Sequence, residues 1–219
     1  MNRLLRSFLA AVLGVAVLIA PAEAAGQDAR DCSRTSVGLT PLTDLGASVY
    51  RGEEGGLYPG GTNVVPDGHL TLGLQLAAGI RPLDVAGRSH LAGSIGLLAI
   101  GVSNTREEFR AFERQAEADP AVNPAVVLVN GARGGNPIAD WTDPTAPVWQ
   151  YVEQQIRRAE LSPHQVQAAW VKLPPGGEPE PFPDHADGYR RELGEVLRNL
   201  KAAYPNLAVA YLSSRIYGG

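Results

Sequence analysis

Cysteine is all but missing from this chain: of 219 residues, only Cys32 carries a thiol. No internal disulfide framework and no thiolate metal set can therefore form. Cys32 reads as a free or intermolecular thiol, since "ARDC" has only alanine three places earlier, where lipid-anchor processing needs a larger apolar residue. Histidine is scarce too, with only His69, His90, His164 and His185. No two of them are spaced as His-x-x-x-His, so neither a structural nor a catalytic zinc site is expected. An excess of one charge is also lacking. Lys plus Arg number 19 against 23 Asp plus Glu, a net charge of −4. No basic cluster breaks the mixed pattern, which argues against a nucleic-acid surface. Long apolar runs are absent apart from Phe8–Ala20, which ends at Pro21 and is shorter than the roughly 20 residues that span a bilayer.

What is present begins with that run. Arg3 and Arg6 precede it and "AEA" (Ala22–Ala24) follows, the pattern of a secretory signal peptide over residues 1–24 with cleavage near Ala24 or Ala25. The expectation is a secreted or periplasmic protein with no membrane contact after cleavage. The rest has the size of one domain. Residues 25–92 read as an irregular lead-in, because Gly, Pro, Ser and Thr dominate as far as Pro66 and "GGLYPGGTN" is the densest patch. In "PDGHLTLGLQLAAGI" (66–80), Leu70, Leu72, Leu74 and Leu76 alternate as in a strand. Pro66, Asp67, Ala77 and Ala78 favour one helix there, which is the reading adopted.

From residue 93 to 219 the pattern becomes regular. "SIGLLAIGV" (94–102), "AVVLVNGA" (125–132), "AAWVKL" (168–173) and "LAVAYLSS" (207–214) read as buried strands. Between them lie three helical patterns. The first carries Phe109, Phe112 and Ala116, with Thr105 and Glu108 as its capping box and Asp119–Pro120 as its stop. The second opens at Pro147 and carries Val148, Val152, Ile156 and Ala159; the third carries Tyr189, Leu193, Val196, Leu197 and Leu200. Alternating strands and helices imply right-handed crossovers into a parallel sheet, an α/β fold of three layers. The chain stops at Gly219, a few residues past the fourth strand and with no helix after it. A domain incomplete at its C-terminus is the expectation.

The chemistry concentrates at "GVSN". In open parallel sheets the functional crevice lies beyond the carboxyl ends of the strands, where Ser103 falls. The helix after it offers free amides and a positive dipole end, able to hold an oxyanion or another anion. Ser103 is either a nucleophile or a helix cap, since Ser103, Asn104 and Thr105 all suit a cap. His185, in "FPDHADGY", lies after the third strand with Asp184 and Asp187 beside it. It is a base oriented by a carboxylate, or part of an ordinary polar helix start. His69, His90 and His164 read as surface, cap or loop residues. Arg133 and Lys172 fall at strand ends, where they would meet an anionic substrate or act as solvated cations. Trp141 and Trp149 flank a loop in which exposed rings could stack on sugar, although Trp149 also suits a core. Arg215 and Tyr217 could line the same edge. The glycines of "NGARGG" lack G-x-G-x-x-G spacing, so no dinucleotide is implied and no cofactor is expected.

The segment "GVSN", with "VNGARGG" (129–135) after the next strand, resembles the first two blocks of the SGNH or GDSL-type hydrolases. The longer string "YPGGTN…H…PLD…IGVSNTREEF…VNGARGG…SSRIYGG" resembles secreted bacterial proteins placed near that family. The resemblance implies a flavodoxin-like sheet and a serine-dependent esterase or deacetylase acting on a small-molecule or carbohydrate ester. Ser103 would be its nucleophile, and the amide of Gly131 or Gly134 an oxyanion donor. Val102 stands where the family has aspartate. The third block's asparagine is missing from "VKLPPGGEPE" (171–180), so Asn130 and Asn136 are the substitutes to examine. The family's Asp-x-x-His block would lie past Gly219, leaving His185 as the base within the chain. The alternative is an exported α/β ligand-binding protein, or a degenerate hydrolase fragment, that holds its ligand without turning it over.

Overall fold

The computed structural model describes residues 40–176 and 181–213. The signal-peptide reading at 1–24, Cys32, Arg215 and Tyr217 lie outside them. In chain order the elements are α1 (Leu42–Leu45), β1 (Val49–Tyr50), β2 (Glu53–Glu54), α2 (Asp67–Ala78), β3 (Ile95–Gly101), α3 (Ser103–Ala118) and β4 (Val126–Asn130). They continue with α4 (Ile138–Thr142), α5 (Pro147–Arg158), a 3-10 turn (Pro163–Gln165), β5 (Val166–Lys172), α6 (Asp184–Ala203) and β6 (Val209–Leu212).

Four strands form one wholly parallel sheet in the order β4-β3-β5-β6. Numbered among themselves the strands run 2-1-3-4, the flavodoxin-like order, in which the connection reverses direction between the first and third strands. β3 and β5 therefore flank the switch point. In register, Leu98 faces Val129 of β4 on one side and Ala169 of β5 on the other.

The period-two alternation of each strand divides the core. Leu98, Ile100, Val129, Ala169 and Val171 pack with Trp141, Val152, Ile156, Val196 and Leu200 from α4, α5 and α6. The opposite face holds α3, whose Phe109 stacks on Trp170 of β5 at 6.0 Å. Sheet and helices on both faces make three layers, as the alternation in the sequence implied. Leu98, Ile100, Val152, Val196 and Leu200 have no exposed surface, and each such burial stabilises by about 1.5–3 kcal/mol.

Helix boundaries follow local chemistry. α5 opens on Pro147, which needs no amide partner at the first helical position, and ends with Arg157 and Arg158 against the negative dipole end. α6 starts at Asp184, earlier than its apolar stripe announces, with Asp184 and Asp187 favouring its first turn. The capping box expected at Thr105 and Glu108 does not form. α3 begins at Ser103, which places both residues inside the helix, where they bond β5 instead.

The lead-in is more ordered than its composition suggested, with α1, the β1–β2 pair and α2 among its described residues. α2 is a helix as expected, yet none of its residues is buried. Leucines two apart spread around a helix instead of gathering into one stripe, so Leu70, Leu72, Leu74 and Leu76 all stay exposed. The segment before β3 is tied to the amino end of β5 by two glutamines. Gln165 Nε2 donates to the Leu83 carbonyl at 2.7 Å, and Gln167 Nε2 to that of Arg81 at 2.8 Å.

Candidate functional site

The site is built where β3 becomes α3. A Cβ at Gly101 would lie 2.5 Å from both the Lys172 carbonyl oxygen and Thr105 Cβ. Only glycine lets the first turn of α3 settle onto β5. The Thr105 hydroxyl, fully buried, donates to the Lys172 carbonyl at 2.8 Å. One turn on, Lys172 Nζ donates to both oxygens of Glu108, at 2.7 and 2.6 Å. The lysine side chain is 4% exposed and the glutamate 43%, so the pair closes the rim from the inside. Lys172, expected as a rim cation, is thus held by α3 and withdrawn from solvent.

Ser103 is exposed and occupies the first helical position; Val102, in extended conformation, precedes it as the N-cap and has no side-chain group to cap the helix. Among the described residues its hydroxyl has no hydrogen-bond partner, and the Ser103 and Asn104 amides have no acceptor. Thr105 N–H donates to Asn104 Oδ1 at 2.9 Å, and Arg106 N–H to the Val102 carbonyl at 3.0 Å. An unused hydroxyl therefore stands with two open amides at a positive dipole end.

The chain after β4 completes the wall. The Gly131 amide donates to the Ala99 carbonyl at 3.0 Å and the Arg133 amide to that of Gly101 at 2.9 Å, extending the pairing with β3 beyond the strand. This path delivers Gly134 to Ser103. A Cβ built on Gly134 would lie 3.3 Å from Ser103 Cβ and 3.9 Å from its nitrogen. The Gly134 amide has no acceptor among the described residues, whereas that of Gly131 is committed to the ladder.

The remaining polar residues are placed as follows. Asn130 turns beneath α3, its Nδ2 donating to the Arg106 carbonyl at 3.0 Å and its buried Oδ1 left without a partner. Asn136 Nδ2 donates to Asp140 Oδ2 at 2.8 Å, and its carbonyl accepts from Trp141 Nε1 at 3.2 Å. His185 is half-buried in the first turn of α6, with no hydrogen bond to Ser103 among the described residues. His90 precedes β3, where its Nδ1 accepts from the Ala92 amide; His164 precedes β5; His69 lies on α2, 6.4 Å from the Tyr58 ring. Arg106 beside Glu107 holds that carboxyl below its usual range, and Arg110 adds to the effect.

The sugar-stacking expectation is overturned, and the core alternative given for Trp149 is borne out. Trp141 and Trp149 are 0% and 7% exposed and meet edge to face at 5.4 Å, so neither offers a ring to a sugar. Trp141 lies in the short helix α4, not in a loop, and both rings fill the space between α4, α5 and the sheet. The Gly101–Thr105–Lys172 contact carried no signal in the sequence, since Thr105 and Lys172 are 67 positions apart. Among the described residues no group of three or more His, Cys, Asp or Glu gathers as a metal site would require. No family model, no curated protein and no solved structure matches the chain.

Proposed function

We propose that the protein is a serine-dependent ester hydrolase with Ser103 as nucleophile, acting on a small or carbohydrate ester after export. The observation that carries this reading is the exposed, uncapped Ser103 hydroxyl at the carboxyl end of the central strand, with Gly134 packed against it. Ser103 Oγ attacks the acyl carbon and loses its proton to a base. The Ser103 and Gly134 amides receive the developing oxyanion, and loss of one such donor in a serine enzyme costs about 10²–10³ in turnover. The alcohol then leaves with the proton, and water releases the acid by the reverse steps.

Of the four histidines, two stand before strands, at the amino-terminal side of the sheet, and one lies on α2. His185 alone follows a sheet strand and opens the helix that returns from the carboxyl-end rim, which supports it as the base. The competing reading is a binding protein whose open amides hold an anion, favoured by the absence of a Ser103–imidazole hydrogen bond among the described residues. Hydrolysis of a chromogenic acetate ester separates the two. The serine mechanism expects a loss of more than about 10³-fold in Ser103→Ala. Equal rates in the two proteins would leave the binding reading standing.

A further inference from the structure

We infer that Arg133 selects the substrate of this site, and that the preferred ester carries a second, carboxylate-bearing end. The inference rests on the serine-hydrolase reading and names its substrate class. Arg133 directly precedes Gly134, the residue packed on Ser103. Its amide donates to the Gly101 carbonyl at 2.9 Å, fixing its backbone beside the end of β3, two residues before the nucleophile. Its guanidinium lies over the Tyr151 ring of α5, with Cζ 5.4 Å from the ring centroid. That contact orients the side chain without using any of its donors. No carboxylate among the described residues pairs with it.

The charges in the first two turns of α3, and the others at the strand ends beside it, have partners among the described residues. Glu108 holds Lys172, Glu107 is gripped by Arg106 and Arg110, and Asp140 accepts from Asn136. An oriented guanidinium with its fork of N–H groups free matches a carboxylate in bidentate geometry. At the same rim the open amides of α3 favour negative charge as well.

Two matched ester pairs test this. In one the charge lies on the acyl side, p-nitrophenyl hemisuccinate against its methyl ester; in the other it lies on the alcohol side, 4-acetoxybenzoate against its methyl ester. The expected result is that the anionic member of at least one pair has the higher kcat/KM. Arg133→Gln then lowers the anionic-to-neutral ratio about tenfold, mainly through KM, and Arg133→Glu lowers it further. Ratios unchanged in both variants, with hydrolysis still dependent on Ser103, overturn the role of Arg133 and leave the hydrolase reading intact. Should hydrolysis prove independent of Ser103, the hydrolase reading fails instead. Equilibrium binding of monoethyl succinate and diethyl succinate to the Ser103→Ala protein, followed by NMR, then decides the anion preference without turnover. Binding of the monoester that is no weaker after adding Arg133→Gln overturns the proposal in that arm.

Discussion

Three glycines lie at the carboxyl ends of β3 and β4, and alanine at each one separates support of the fold from service to the site. At Gly101 the added methyl would stand 2.5 Å from a backbone carbonyl oxygen and from Thr105 Cβ, so the first turn of α3 must lift off β5. At Gly131 it would stand 2.9 Å from the Ala99 carbonyl oxygen and from Leu98 Cδ1. Leu98 is wholly buried and cannot retreat freely. Such overpacking costs about 1–3 kcal/mol, with Gly101→Ala above Gly131→Ala because its approaches, 2.5 Å against 2.9 Å, are the tighter. At Gly134 the methyl meets only Ser103 Cβ, at 3.3 Å, and the residue has no positive φ to strain an alanine. A shift of a few tenths of an ångström is enough. The smaller freedom of alanine in the unfolded chain returns about 0.4–1 kcal/mol, so Gly134→Ala is expected to leave stability unchanged within about 0.5 kcal/mol. Activity follows the reverse logic. Since 1 Å of misplacement can cost about 10²-fold, a few tenths at the oxyanion donor predicts a loss of about three- to tenfold in kcat for Gly134→Ala. Urea denaturation gives the stability order, and chromogenic acetate hydrolysis normalised to folded protein gives the kinetic one. A Gly134→Ala protein as destabilised as Gly131→Ala, or one fully active while folded, would refute the reasoning.

Two further outcomes test the frame around the site. Glu108→Ala should destabilise by about 3 kcal/mol, because it leaves the buried Lys172 ammonium unpaired, whereas Lys172→Met should cost about 1 kcal/mol or less, since the half-exposed Glu108 can turn to water; equal costs in chemical denaturation would contradict this asymmetry. Burial, with the charge of Glu153, raises the pKa of Tyr204 well above its ordinary value of 10.0, and burial raises that of Tyr189 more mildly. Below about pH 10 both states keep these protons. Above it the unfolded chain releases them first, so it binds fewer protons than the native state and stability falls as pH rises. Tyr204→Phe should remove most of that fall between pH 10 and 11.5 in thermal melts.

The sheet was legible because its strands are short apolar runs bounded by polar turns. β3 and β4 lie within the stretches expected for them, and β5 begins two residues before its own at Val166. Starts of helices were harder to read. Ser, Asn and Thr at 103–105 are interchangeable as caps in composition, yet all three lie inside α3 and Val102 precedes them as the N-cap, with Thr105 drawn in by its bond to Lys172. At α6 the polar run Asp184–Gly188 hides a full helical turn. The position of Ser103 could be read from strand end and helix start alone. The choice between Gly131 and Gly134 could not, because it depends on which amide the β3 ladder consumes. Nor could the inward turn of Asn130 or the burial of Trp141, which are set by contacts between distant segments.

The glutamine clasps on the lead-in bear on how the chain can fold as it is made. Arg81 and Leu83 bond side chains 86 and 82 positions later, on residues that open β5. At about 5–20 residues per second, the ribosome releases the first partner roughly 4–17 s before the second exists. Through that interval the lead-in has no clasp to hold, and the leucine-rich α2 just before it stays unanchored until β5 has been made.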